Sequence, residues 1–213
     1  MGEKYRPSKD EYYLNIAKET AQRSTCMSVK GGAIIVRDDQ IIATGYIGAP
    51  RGTKDCFERG NCLRREMNIP SGQRYEICRS VHAEQNAIVN AARAGVSLLG
   101  GTLYLYFVKR SEGEDKFAKS YPCFMCKKLI INSGIVRFVG NDENGKVVSY
   151  NASEWAKEWQ EKDMLDDVEK YDSKYTKEEI EKFKQRKVKA EKTPKTQSKK
   201  VKRATKKEKL IKK

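Results

Sequence analysis

The positive charge of this chain is concentrated in its last forty residues, and this limits which part of the chain can form a core. Residues 174–213 contain 18 lysines and arginines but only five aspartates and glutamates, a net charge of +13. The whole chain of 213 residues carries +15, which leaves +2 for residues 1–173. A lysine-rich segment with few apolar side chains cannot bury enough surface to fold. We therefore expect one compact domain followed by a basic, disordered tail.

The N-terminal sequence and the cysteines indicate a reducing compartment. The first residues, MGEKYRPSKDEYY, lack the apolar segment of a secretory signal, and no stretch approaches the ~18 apolar residues of a membrane span. In such a protein, cysteines bind metal or take part in catalysis more often than they form disulfides. We expect a cytoplasmic protein, or a nuclear one if its source is eukaryotic, with no membrane contact. The chain has one histidine, His82, which excludes enzymes whose metal needs two.

Hydrophobic periodicity predicts helices and strands in alternation. A Ser8–Glu11 capping box predicts a first helix over residues 8–23, and two apolar runs separated by Asp38-Asp39 predict a β-hairpin. A long irregular segment over residues 45–79 follows. The expected later elements are a helix over 81–94 with a small alanine face, a strand over 102–108, a helix over 123–132 and a strand over 135–139. This order indicates an α/β sandwich in which one mixed sheet is covered on both faces.

Two short motifs at the starts of predicted helices carry the chemistry. Residues 82–84 are HAE and residues 122–126 are PCFMC. One imidazole and two thiolates are three zinc ligands, which leaves a fourth tetrahedral position open for water, whose pKa zinc lowers to about 7. Helix N-termini stabilise the thiolates. Glu84 cannot point the same way as His82, two residues before it, so we expect it to transfer protons rather than bind metal. Alone, the PCxxC motif could be half of a structural site or a redox pair; together, the two motifs are typical of zinc deaminases.

Four segments of the chain resemble the deoxycytidylate deaminase family. They are RSTCMSVKGGAIIVRD (23–38), TGYIGAPRG (44–52), CRSVHAEQNAI (78–88) and PCFMCKKLIINSGI (122–135). The similarity covers roughly residues 8–140 and is closest to the branch that includes the late-competence deaminase-like proteins. It implies a three-layer α/β/α, cytidine deaminase-like fold with a mixed five-stranded sheet. It also implies hydrolysis of dCMP to dUMP and ammonia in pyrimidine deoxynucleotide metabolism.

The resemblance assigns roles to five residues. It implies that His82, Cys123 and Cys126 hold the catalytic zinc, that Glu84 is the proton shuttle, and that the backbone N–H of Ala83 binds the pyrimidine O2. Members of the family are commonly homo-oligomers regulated by dCTP and dTTP, so these nucleotides are possible effectors here.

One turn departs from the family pattern. The Gly-Tyr-Asn-Gly turn of the family reads Gly-Tyr-Ile-Gly at residues 45–48, and Ile47 cannot form a hydrogen bond with a sugar hydroxyl. The turn therefore identifies neither the phosphorylation state of the substrate nor the effector. Candidates for phosphate binding are Arg23, Arg51, Arg64 and Arg65, and Asn86 and Asn90 are candidates for the pocket; a solvated surface position is the alternative for each.

The remaining cysteines, Cys26, Cys56, Cys62 and Cys78, form a second set. Four thiolates make a closed zinc site of the structural type, which would explain how the long segment over residues 45–79 stays ordered. The resemblance supports this prediction, since related deaminases carry a second zinc. The alternative is that some of the four are small buried hydrophobic residues or free thiols.

These patterns divide the chain into a deaminase domain over residues 1–152, a charged helical extension over 153–186 and a lysine-rich disordered tail over 187–213. The tail would attract nucleic acid weakly and in a salt-dependent way, or be only a solvated extension. A dCMP deaminase acting on the free nucleotide is the leading interpretation. A polynucleotide deaminase acting on tRNA adenosine or cytidine, which the tail favours, is the alternative. A non-catalytic zinc-containing nucleic-acid-binding protein is a third, against which Glu84 argues because structural zinc needs no proton carrier.

Overall fold

The computed structural model describes residues 5–70 and 73–162, together with residues 181, 182 and 185. The strands are β1 (Val29–Arg37), β2 (Gln40–Tyr46), β3 (Thr102–Lys109), β4 (Lys116–Phe117), β5 (Arg137–Asn141) and β6 (Val147–Asn151). The helices are α1 (Lys9–Ala21), α2 (Cys56–Arg59), α3 (Leu63–Glu66), α4 (Ala83–Arg93), α5 (Phe124–Asn132) and α6 (Ala152–Glu161), and a single 3₁₀ turn spans Tyr75–Ile77. Described residues up to Lys162 belong to one compact unit, and the three beyond it belong to a second.

The strands form one mixed sheet, which confirms the predicted α/β class. Its order is β2-β1-β3-β5-β6, with β4 paired to β3 outside this path. β3 and β5 are parallel, and the other neighbours are antiparallel. Five strands therefore make the continuous sheet, as expected, and β4 is a sixth. It is only two exposed residues long, too short to carry a strand pattern in the sequence.

The first helix and the hairpin lie where local sequence signals predicted them. The Ser8 N–H donates to the Glu11 carboxylate at 2.7 Å, and the Glu11 N–H donates to the Ser8 hydroxyl at 3.3 Å, so the capping box begins α1. The hairpin turns at Asp38 and Asp39, whose φ angles are 50° and 59°. Two successive positive φ angles are those of a type I′ turn, whose twist matches that of the flanking strands.

Helices cover both faces of the sheet, and glycines allow two of them to approach closely. α1 packs on one face, in a core that contains Val36 and Val139. α4 and α5 pack on the other face, where the small alanine side of α4 is buried as predicted. A Cβ atom on Gly32 would lie 2.2 Å from a backbone oxygen of α1, and one on Gly45 would lie 2.3 Å from a backbone nitrogen of α4. The close approach at Gly45 therefore fixes the distance between α4 and the sheet, and with it the position of His82 at the start of α4.

The C-terminal predictions fall mostly beyond the described part of the chain. The predicted tail, residues 187–213, lies outside it, and α6 covers only the beginning of the predicted extension over residues 153–186. None of the helices within the described ranges is both long and apolar enough to span a bilayer.

Candidate active site

The starts of two helices bring three predicted zinc ligands together. His82 is the N-cap residue of α4, Cys123 is the N-cap residue of α5, and Cys126 lies in the first turn of α5. The Nδ1 atom of His82 is 3.4 Å from the Sγ atom of Cys123 and 3.4 Å from that of Cys126. All three ligand atoms lie within 4.8 Å of one another, and among the residues that the structure describes this is the group with that spacing.

The spacing of these atoms fits zinc. Bonds of about 2.0–2.1 Å to nitrogen and about 2.3 Å to sulfur, at tetrahedral angles, place the nitrogen and sulfur ligands about 3.6 Å apart. The observed nitrogen–sulfur distances of 3.4 Å are close to this value. The three residues thus fill three of the four positions of a tetrahedral site, the ligand number typical of catalytic rather than structural zinc.

The surroundings of Cys123 favour its thiolate form. The pKa of Cys123 is lowered to about 4, chiefly because Cys126 donates a hydrogen bond to its sulfur and also because His82 is adjacent. The pKa of Cys126 is raised, since it is the donor of that hydrogen bond and is buried. Burial opposes protonation of His82, but its hydrogen bond to Cys123 and the charge of Glu84 outweigh this and raise its pKa. The hydrogen bond from Cys126 and the adjacent imidazole thus favour a thiolate at Cys123, which is the form in which a cysteine binds metal.

Glu84 lies next to the three ligands without joining them. Its side chain is 5% exposed, in the first turn of α4. Burial is the largest influence on this carboxyl and raises its pKa, while the nearby His82 opposes the rise. Ala83 is the first residue of α4, so its backbone N–H is one of those that have no acceptor within the helix. A buried proton-binding group and a free donor thus lie beside the cluster.

The sequence did not predict the aromatic side chain that covers His82. The Tyr75 ring meets the His82 ring edge to face, with centroids 4.8 Å apart. The guanidinium of Arg64 lies 4.9 Å from the Tyr75 centroid and donates to the carbonyl oxygens of Pro70 and Gln73 at 2.7 and 2.6 Å. The irregular segment is therefore folded over the histidine. No periodic pattern marks Tyr75, and only its place shortly before the HAE motif could have drawn attention to it.

The polar residues considered for phosphate binding and for the pocket already have partners. Arg64 stacks on Tyr75, and Arg51 donates to the Asn90 side chain at 2.8 Å. Asn86 donates to the carbonyl oxygen of Tyr46 at 2.8 Å, and Asn90 donates to that of Thr44 at 2.7 Å. Arg65 reaches the carbonyl oxygen of Met27, and the Arg23 guanidinium lies 6.0 Å from the Tyr46 ring. The two asparagines thus attach α4 to β2.

Cys26 and Cys62 lie near enough to Cys56 to affect its pKa. Burial raises the pKa of Cys56, and the sulfurs of Cys26 and Cys62 raise it further, so the three lie near one another. Cys78 acts instead on the pKa of Tyr75, beside the His82 cluster. The four sulfurs do not form a group as tight as the first one. None of the six cysteines forms a disulfide.

Ile47, the departure from the family turn, faces the core. Its side chain is 6% exposed, and a Cβ atom on Gly31 would lie 2.6 Å from its Cδ1 atom and 3.3 Å from the Phe107 ring. The side chain therefore fills space between the strand and the turn, and it offers no polar atom to a ligand.

Comparisons of this chain with family models, curated proteins and solved structures all find deaminases. A family model described as "Cytidine and deoxycytidylate deaminase zinc-binding region" matches residues 7–141. The deoxycytidylate deaminase of Schizosaccharomyces pombe is 35% identical over 136 residues, which are 64% of this chain and only 38% of that protein. The deoxycytidylate deaminase of Mycobacterium phage D29 is 40% identical over 139 residues, 63% of this chain and 94% of the phage protein. The crystal structure of a dCMP deaminase from cyanophage S-TIM5 with dCMP and dUMP aligns with a TM-score of 0.48 and 26% identity, covering 65% of this chain and 84% of that one.

Proposed function

This chain belongs to the cytidine and deoxycytidylate deaminase family, and on that basis we propose that it hydrolyses dCMP to dUMP and ammonia. The observation that carries the proposal is the buried carboxyl of Glu84 beside a three-ligand cluster that it does not join. A structural zinc site has no use for such a group. The deoxycytidylate deaminase of phage D29, matched over 94% of its length, supports dCMP as the substrate.

The proposed reaction assigns a task to each residue of the cluster. His82, Cys123 and Cys126 would hold zinc, which when bound would activate a water molecule for attack on C4 of the cytosine ring. Glu84 takes a proton from the attacking water and delivers it to N3. It then takes the proton of the new hydroxyl group on C4 and passes it to the C4 amino group, which leaves as ammonia. A carboxyl whose pKa is raised by burial is suited to holding that proton between the two steps. The Ala83 N–H binds the pyrimidine O2.

The substrate is tested by measuring ammonia release. The purified full chain would be offered dCMP, dCTP, cytidine, tRNA and single-stranded DNA at equal concentrations of cytosine. We expect dCMP to be turned over with the highest kcat/KM. Efficient deamination of tRNA or DNA together with negligible dCMP turnover would contradict the proposal and favour the polynucleotide deaminase.

Regulation and assembly are also proposed from the family resemblance. We propose a homo-oligomer in which any control by dCTP or dTTP does not use a hydrogen bond from position 47, because Ile47 is apolar and buried. We further propose that the tail gives weak, salt-dependent binding to nucleic acid. The charge of +13 on residues 174–213, against +2 on the rest of the chain, supports this.

We propose, finally, a second zinc on Cys26, Cys56, Cys62 and Cys78. The effect of Cys26 and Cys62 on the pKa of Cys56 supports it, as does the burial of Cys26 and Cys56. The four sulfurs would have to move closer to one another when metal binds. The role of this zinc would be structural, since four thiolates leave no open position.

A further inference from the structure

Lys127, which follows the zinc ligand Cys126 directly, is fully buried. Its relative exposure is 0%, and its Nζ atom lies 4.6 Å from the ring centroid of Trp159, 5.0 Å from that of Trp155 and 5.9 Å from that of Tyr121. A cation is attracted to the faces of aromatic rings, and the attraction is strongest where water is excluded. Burial of an ammonium group is costly without compensation, and these rings supply part of that compensation for Lys127.

Both tryptophans belong to α6, which also contacts α5 at a second point. Trp159 stacks on Phe124 with ring centroids 6.4 Å apart and planes inclined by 28°. Trp155 is 4% exposed and packs against Phe138 of β5 at 6.0 Å. α6 is thus anchored to the sheet through Trp155, and it holds α5 through the stack on Phe124 and the enclosure of Lys127.

The two contact points on α5 alternate with the two zinc ligands. Phe124 follows Cys123 by one residue, and Lys127 follows Cys126 by one residue. Residues three apart share one side of a helix, and a step of one residue is a rotation of about 100° with a rise of about 1.5 Å. A rotation or shift of α5 that broke its contacts with α6 would therefore displace both sulfurs together.

We propose that α6 is a latch on α5, with Lys127 and Trp159 as positioning residues that keep Cys123 and Cys126 in place for zinc. The proposal rests on the proposed function in one respect, that these cysteines hold zinc. It goes beyond the family match, because α6 lies outside the matched residues 7–141. The latch makes retention of the metal depend on a helix that contributes no ligand.

The test is the rate of zinc release from the zinc-loaded full chain to an excess of a colorimetric chelator. Zinc bound at a second site would be released in a separate kinetic phase. The phase to be compared between variants is therefore the one that is absent in Cys123→Ser. Lys127→Ala and Trp159→Leu should release it about 10- to 100-fold faster, the usual consequence of removing a residue that orients a metal ligand. Lys127→Arg and Trp159→Phe should stay close to the wild-type rate. Because the chain has only two tryptophans, both in α6, tryptophan emission should shift to longer wavelength in Lys127→Ala.

Val36→Ala is the matched control, because it opens a cavity in the core on the other face of the sheet. It should lower the melting temperature without accelerating zinc release. Equal acceleration by Val36→Ala, or an unchanged rate in Trp159→Leu, would overturn the latch; Trp159→Leu decides the question if Lys127→Ala does not fold. The absence of any Cys123-dependent zinc in the wild-type protein would overturn the proposed function as well, so the two failures are distinguishable.

Discussion

The Nδ1 atom of His82 lies 3.4 Å from the Sγ atom of Cys123, although 41 positions separate them in the chain. Both residues are N-caps, so each is placed by the point at which its helix begins. Those points depend on how α4 and α5 lie on the same face of the sheet, where α4 approaches β2 closely at Gly45. The metal geometry is therefore a property of helix placement and does not require a loop of special shape.

Glu84→Gln tests the proton carrier. The amide preserves the size of the side chain but cannot carry the proton, so turnover of saturating dCMP should fall by about 10²- to 10⁴-fold. Zinc content and dCMP binding, measured by metal analysis and equilibrium dialysis, should remain nearly unchanged. Turnover within a few-fold of wild type would be incompatible with the role proposed for Glu84.

Metal analysis tests the second zinc. We expect about two zinc ions per chain, falling to about one in Cys56→Ser or Cys62→Ser, because a closed four-thiolate site does not tolerate loss of a ligand. The free energy of unfolding of these variants should fall, whereas their kcat for dCMP should be affected less. Cys126→Ser is the matched control, which should also lose one zinc but abolish turnover. A wild-type content of one zinc would contradict the four-cysteine site.

A chain that ends at Tyr171 tests the basic tail. With little net charge left, it should lose affinity for single-stranded DNA, and the wild-type affinity should fall steeply as salt rises because counterions are released on binding. Its kcat and KM for dCMP should match those of the full chain. If KM for a polynucleotide substrate instead rises many-fold while dCMP is poorly used by both chains, the tail serves a polynucleotide deaminase.

Acid sensitivity should follow from the pair Asp10 and Arg137. The guanidinium donates to the two carboxylate oxygens at 2.8 and 2.6 Å, and this hydrogen bonding is the main reason that the pKa of Asp10 lies below its ordinary value of 3.8. Because the folded pKa is the lower one, the stabilisation is present above the unfolded pKa and is lost as pH falls through the folded pKa.

Asp10→Asn should therefore lower the free energy of unfolding at pH 7 by about 1 kcal/mol, a modest value because the pair is partly exposed. The difference from wild type should shrink as the pH falls below about 4, where Asp10 becomes protonated in the unfolded chain. Urea denaturation at a series of pH values measures both quantities. If the difference in free energy of unfolding between wild type and Asp10→Asn stays constant down to pH 2, the Asp10–Arg137 pair is not the source of the acid sensitivity.

Sequence patterns anticipated the elements that local signals define and missed those that only long-range contacts create. The Ser8 cap and the Asp38-Asp39 turn act within a few residues, and both lie where predicted. β6 carried no recognisable signal, since its five residues are partly exposed and it is held by pairing with β5. The grouping of His82, Cys123 and Cys126 could be predicted because these residue types are rare in the chain and each of the two motifs is short, although 41 positions separate His82 from Cys123. Lys127 could not, because a lysine in a sequence indicates exposure unless the rings that will enclose it are known.

The hydrogen bonds from Asn86 and Asn90 of α4 to β2 have a consequence for how copies of this chain meet. β2 is an edge of the sheet, and a free edge invites a strand from another molecule to pair with it and begin aggregation. The backbone carbonyls of Thr44 and Tyr46 already accept hydrogen bonds from the two asparagines. They are therefore less available as acceptors for the N–H groups of an incoming strand. The helix whose first turn carries Glu84 thus also disfavours association of another strand with the β2 edge of the sheet.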